Sequence, residues 1–204
     1  TIDLLHAIGA TTLADAVGSL GPGAVIEALF RGEIDSSEAL RSCAEASGPV
    51  AAWVRELDAR YPGDPSVAVT LLLNHVQLEP GDALHLTAGN LHAYLGGSGI
   101  ELMGASDNVV RGGLTSKPVE IGLLLETLDP TPLEQPIIDA DGGRYPLPEA
   151  GVVLIRLRPG DSHTAVGHEL AIAMDGTTLY LSGGTPIYAD SETYVVTSSD
   201  DRSA

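Results

Sequence analysis

Residues 81–117 read GDALHLTAGNLHAYLGGSGIELMGASDNVVRGGLTSK, and the architecture of the chain turns on how this stretch is read. Pro80-Gly81-Asp82 opens a strand, Ala88-Gly89-Asn90 supplies a tight turn, and the returning strand carries His92. Gly96-Gly97-Ser98-Gly99 then separates two apolar-rich runs and predicts a hairpin, because such a loop accepts positive φ at nearly every position. With all four residues in the loop, Leu95 faces Ile100, Tyr94 faces Glu101, Ala93 faces Leu102 and His92 faces Met103. The two-residue side-chain period then puts His92, Tyr94 and Glu101 on one sheet face, and a one-residue slip in register would undo that.

Two patterns overlap in this stretch. Gly81, Thr87, Gly89 and His92 have the spacing of the second metal-binding motif of cupin barrels, with Thr87 where that motif has Pro. From His92-Ala93-Tyr94 through Gly97, Ile100-Glu101, Met103, Ser106-Asp107-Asn108, Val110-Arg111, Gly113 and Thr115 to Lys117, the chain resembles the signature of type I mannose-6-phosphate isomerases. Three positions depart from that signature. Gly104 and Gly112 stand where the family usually has Ala, and Ser116 where it has Pro; these changes bear on local stiffness and leave every polar group in place.

Taken alone, a histidine on a strand is ordinarily a hydrogen-bonded structural residue, since zinc requires three or four protein ligands. The motif context makes His92 the ligand candidate. His6 falls in a helical pattern, His75 and His85 in strand-like runs, and His163 and His168 in a polar, loop-rich stretch; all five are assigned structural or surface roles. The single cysteine, Cys43, leaves neither a thiolate zinc site nor an internal disulfide framework. Lys117 is the only lysine in the chain, six residues after Arg111 and in a Gly-flanked loop. Two cations so placed suit a phosphate or an enediolate.

The formal net charge of −18 sharpens that point, because so acidic a chain repels phosphosugars at long range and their site must be locally positive. Acidity also argues against nucleic-acid binding, and no basic patch with interleaved aromatics is present. The sequence contains no uninterrupted apolar run of membrane-spanning length and no signal-peptide pattern, so no membrane partner is expected and the cytoplasm is the default setting.

Along the chain, residues 1–62 read as short packed helices, with Ile2, Leu5, Ile8 and later Val54 and Leu57 on helical spacing. Breaks fall at Gly21-Pro22-Gly23 and Ser47-Gly48-Pro49, with a stop at Tyr61-Pro62-Gly63. Asp64-Pro65 is an N-cap and N1 pair for one more helix to about Leu72. Residues 76–117 read as strands and turns, 118–128 as a connecting helix, and Asp129-Pro130-Thr131-Pro132 as a linker. Strands return from Gly151 to Thr197, before a polar tail from Ser198.

The resemblance implies a mainly β fold with a helical subdomain, built as a partial catalytic cupin (RmlC-like jelly-roll) barrel plus a C-terminal cupin. On that reading 1–62 is a helical insertion, 63–128 the returning part of the catalytic cupin with its connecting helix, and 129–204 a cupin-like β domain. It further implies that the N-terminal half of the catalytic domain, which in the family carries a Gln-x-His pair and a Glu as further zinc ligands, lies outside this sequence. The implied activity is zinc-dependent interconversion of mannose 6-phosphate and fructose 6-phosphate through a cis-enediol. His92 would be a ligand to Zn2+, Arg111 the catalytic cation, Lys117 a phosphate contact or proton carrier, Glu101 a candidate acid/base and Tyr94 a pocket wall. Asp107 and Asn108 shape a turn. A noncatalytic cupin-like sugar-binding or scaffold chain is the alternative; a cupin oxidase or decarboxylase fits less well, because no His-x-His is present.

Overall fold

The computed structural model describes residues 1–104, 108–133, 136–138, 140, 142–147 and 150–198. Ser106 and Asp107 of the signature, and all of the polar tail but Ser198, lie outside the described residues. The chain divides into two compact units. The first comprises Thr1–Val76, Leu86–Gly97 and Asp107–Leu133; the second comprises Gln77–His85, Ser98–Ser106 and Glu134–Ala204.

The first unit is helical. α1 (Ile2–Ala7), α2 (Thr11–Leu20), α3 (Pro22–Arg31), α4 (Ser37–Glu45), α5 (Pro49–Arg60) and α6 (Pro65–Val69) follow one another, with a 3-10 turn at Thr70–Leu72 and α7 at Ile121–Thr127. Three of these helices begin on proline, where the missing N–H is no loss and φ is already helical. Asp64 caps α6 as its sequence predicts, accepting from the Ser66 amide at 2.9 Å. Leu5, Val25, Val54, Val67 and Leu71 are fully or almost fully buried at the centre of this unit, and Leu124 brings α7 onto the same core. Cys43 is buried among them, and burial pushes its thiol upward, as expected of an inert packing residue.

The second unit is β-rich. β3 (Arg144–Leu147), β4 (Val152–Leu157), β9 (Thr193–Ser198), β6 (Glu169–Ala173) and β7 (Thr178–Leu181) form an antiparallel sheet in that order. β5 (Ser162–Thr164) pairs with β8 (Pro186–Tyr188), and β1 (Ala83–Leu84) with β2 (Ile137–Ile138). Val153, Ile155, Leu157, Ala171, Leu181 and Val195 form its core. Tyr145 donates its hydroxyl to the Gly81 carbonyl, and Arg156 donates to the Pro80 carbonyl at 3.1 Å, so the Pro80-Gly81 turn is pinned to this sheet.

Glu169 is a buried carboxylate whose partners are all supplied within this unit: Thr197 Oγ1 at 2.7 Å, the Val166 amide at 3.1 Å and His163 Nε2 at 2.5 Å. Burial alone would raise its pKa, but these donors outweigh it and hold the group below the usual carboxylate range. His163 therefore sits in strand β5 with a structural partner, not in a loop as its sequence context predicts. His75, expected in a strand-like run, lies outside any strand and donates from Nε2 to the Thr70 carbonyl at 2.9 Å. His168 stacks on Tyr180.

The hairpin expected across 92–103 does not form. Among the described residues of 86–104 and 108–117 there is no strand. Leu91 and Leu95 turn toward the helical core, while His92, Ala93 and Tyr94 between them are all exposed. That pattern has the wrong period for a strand with one buried face. Glycines at 96, 97, 99 and 104 further lower the intrinsic tendency to extend, and a hairpin without a third strand is marginal in water. The turn before it is as expected: Thr87 donates its amide and its hydroxyl to the Asn90 side-chain oxygen, and Asn90 donates back to the Thr87 carbonyl. The connecting helix is shorter than predicted, at Ile121–Thr127.

Candidate active site

The first unit brings the segment that carries His92 and the residues that follow Arg111 together around the N-terminus of α6. Asp64 bridges two segments distant in sequence. One carboxylate oxygen accepts from the Ser66 amide, and the other accepts from the Leu114 amide at 2.8 Å. Ser66 donates its hydroxyl to the Gly112 carbonyl. Residues 112–114, immediately after Arg111, are thereby fastened to the start of a helix.

This fastening explains two backbone features. Gly113 has φ +118, and a Cβ there would lie 1.8 Å from Ser66 Oγ, so no side chain fits. Leu114 has φ +50, the only positive φ at a described non-glycine residue, a conformation that persists only where surrounding contacts over-determine it. The contacts are the Asp64 bond and the packing of the Leu114 side chain on the helical core.

His92 reaches the same place from the other side. With Leu91 and Ala93 it lines a pocket of about 60 Å³, whose remaining wall is Ser66, Val69, Thr70 and Leu73 from α6 and the turn that follows, and Gly112, Gly113 and Leu114. His92 Nδ1 lies 3.1 Å from the Asn90 carbonyl oxygen. A carbonyl only accepts, so Nδ1 carries the proton and, in the neutral ring, Nε2 keeps its lone pair for another partner. This is the arrangement that orients metal-binding histidines. Tyr94 packs edge-on against the ring, with centroids 5.9 Å apart and planes at 80°.

The turn behind His92 is equally constrained. Gly89 has φ +86, its carbonyl accepts from the Asp129 amide at 3.0 Å, and a Cβ would lie 2.7 Å from the Thr127 carbonyl oxygen. Arg111 and Lys117 are both exposed, and the Lys117 amide donates to Thr115 Oγ1 at 3.1 Å. Glu101 is exposed and belongs to the second unit. His92, Tyr94, Arg111 and Lys117 all fall in the first unit, and the bonds of Asp64 and Ser66 to the 112–114 loop lie outside the sequence motifs. The N-cap signal at Asp64 was visible; its second bond, to a residue fifty positions away, has no local signature.

As a test of metal fit, His92 has the tautomer and exposure of one ligand. Among the described residues, however, no group of three or more His, Cys, Asp or Glu is arranged to hold an ion. A zinc site needs three or four protein ligands, so the described residues offer part of one.

No family model matches the chain. Its fold is that of phosphomannose isomerase: a crystal structure of a mutant of that protein from Salmonella typhimurium superposes over 97% of this chain and 61% of its own, with a TM-score of 0.58 at 22% identity. The combination of a helical subdomain with β structure expected from the sequence is thus the fold found. In sequence the chain is similar to mannose-6-phosphate isomerases. It is 49% identical over 75 residues to mannose-6-phosphate isomerase 1 of Arabidopsis thaliana, covering 37% of this chain and 17% of the relative. It is 47% identical over 77 residues to the enzyme of Rattus norvegicus, covering 38% and 18%. A probable mannose-6-phosphate isomerase of Echinococcus multilocularis matches at 40% over 110 residues, covering 54% and 25%. The matched part of the chain thus spans a quarter or less of these relatives.

Proposed function

We propose that this chain carries one wall of the active site of a zinc-dependent aldose–ketose isomerase that interconverts mannose 6-phosphate and fructose 6-phosphate through a cis-enediol. The observation that carries the reading is the convergence of His92 and the 112–114 loop on one pocket in a chain 40–49% identical, over the matched parts, to proteins named for that activity.

His92 would be one ligand of the zinc, whose contribution when bound is to polarise the sugar oxygens. The residues of the chain then have separable tasks. Arg111, fixed to the clamped loop, presents a permanent cation to the oxygen that gains charge as the enediolate forms. Lys117 meets the phosphate, or assists proton movement, against the background of a chain with net charge −18. Glu101 is the candidate acid/base, and Tyr94 lines the approach beside His92.

The test is a turnover assay of the gene's complete product with mannose 6-phosphate, in zinc and after chelation. Chelator-sensitive formation of fructose 6-phosphate is expected. Binding of the sugar phosphate without turnover, in either condition, would instead favour a noncatalytic sugar-binding chain.

A further inference from the structure

We infer that Asp64 and Ser66 are positioning residues for Arg111, acting through the backbone of residues 112–114; the inference rests on the role proposed for Arg111. Asp64 uses both carboxylate oxygens, one for the first turn of α6 and one for the Leu114 amide. Helix capping alone needs only the first. The second bond, with the Ser66 hydroxyl on the Gly112 carbonyl, fixes the peptide groups on the C-terminal side of Arg111.

Three further features fit a clamp and are not needed by a cap. Leu114 is held at φ +50, a conformation its side chain disfavours, and the Asp64 carboxylate accepts from that residue's amide. Gly113 lies so close to Ser66 that a Cβ would overlap its hydroxyl. Ser66 itself is 6% exposed, a buried polar group whose hydroxyl is spent on the loop. A guanidinium on a long side chain loses precision unless its backbone is rigid, and a misplacement of an ångström is enough to cost a large part of catalysis.

The discriminating variant is Asp64→Asn. Asparagine caps a helix about as well as aspartate, so α6 keeps its first turn. With its one side-chain oxygen on the Ser66 amide, however, its other end is an NH2 group, which cannot accept from Leu114. In the gene's complete product, kcat is expected to fall between about 10- and 100-fold with KM for mannose 6-phosphate nearly unchanged. Amide exchange is expected to accelerate at Leu114 and to remain slow at Val67 and Ala68. Ser66→Ala should show the same kcat-weighted loss, and Asp64→Ala should add loss of the cap.

A variant Asp64→Asn with wild-type kcat and a still-protected Leu114 amide overturns the clamp while leaving the isomerase reading intact. If the wild type fails to isomerise the sugar, that reading falls. The clamp is then decided by Leu114 exchange and by the Arg111 side-chain NMR resonance, and no change in either on Asp64→Asn overturns it.

Discussion

Lys117 and Arg111 are both exposed cations a few residues apart, yet the proposed reaction would ask different things of them. A phosphate contact exists in the ground state and the transition state alike, whereas an enediolate oxygen exists only near the transition state. Lys117→Ala should therefore raise KM for mannose 6-phosphate and narrow its advantage over unphosphorylated mannose, with kcat largely kept. Steady-state kinetics with both sugars on the gene's complete product measure this; unchanged phosphate discrimination would remove Lys117 from the phosphate. At this scale the sequence is most legible where chemistry and spacing coincide. His92, Tyr94 and Arg111 stand out because each polar type sits in a recognisable order. Asp64 does not, because its second partner is a backbone amide in a distant segment, and any residue other than proline could supply that amide.

Within the elements, the loop 111–117 distinguishes two adjacent glycines. At Gly113 a Cβ would overlap Ser66 Oγ at 1.8 Å and φ is +118, so Gly113→Ala should destabilise the protein by on the order of 2 kcal/mol or more. At Gly112 the nearest obstacle is the tip of the Leu91 side chain, at 2.5 Å, which can rotate away. Gly112→Ala should stay within about 1 kcal/mol of wild type, and denaturant melts of the two variants compare them directly. In the β-rich unit, Glu169 has its pKa depressed in the folded protein, so its contribution is present above the unfolded-state value and is lost as pH falls through the lower folded value. Glu169→Gln keeps the shape but removes the carboxylate that pairs with Thr197, the Val166 amide and His163, and should cost about 1–3 kcal/mol at neutral pH. The gap from wild type should close on the acid side, below about pH 4; a gap constant from pH 7 to 3 would show that the charge of Glu169 contributes nothing. The helices were readable because their caps are local: Gly-Pro or Asp-Pro starts and apolar spacing suffice. The 92–103 hairpin was misread because apolar residues flanking a Gly-rich loop resemble two strands, while Leu91 and Leu95 are in fact drawn to the helical core four residues apart.

For the molecule as a whole, the absence among the described residues of further donors grouped with His92 has a direct consequence. The 204-residue chain by itself should bind zinc weakly and lose it on dialysis against a mild chelator, because one imidazole does not make a three- or four-ligand site. Stoichiometric retention of zinc by this chain would mean that ligands are present which the described residues do not reveal. Fold class was legible from the 81–117 motifs taken with the helical N-terminal region. The division into units was not, since each unit is assembled from three separate segments and no local composition marks where they interleave. The most direct test of the central claim is the kinetics of Arg111→Ala in the gene's complete product, zinc-loaded, turning over mannose 6-phosphate. A fall in kcat of about two orders of magnitude with KM nearly unchanged is predicted, as for removal of a group aimed at a transition-state oxyanion. A variant that keeps its kcat and changes only KM would contradict the account.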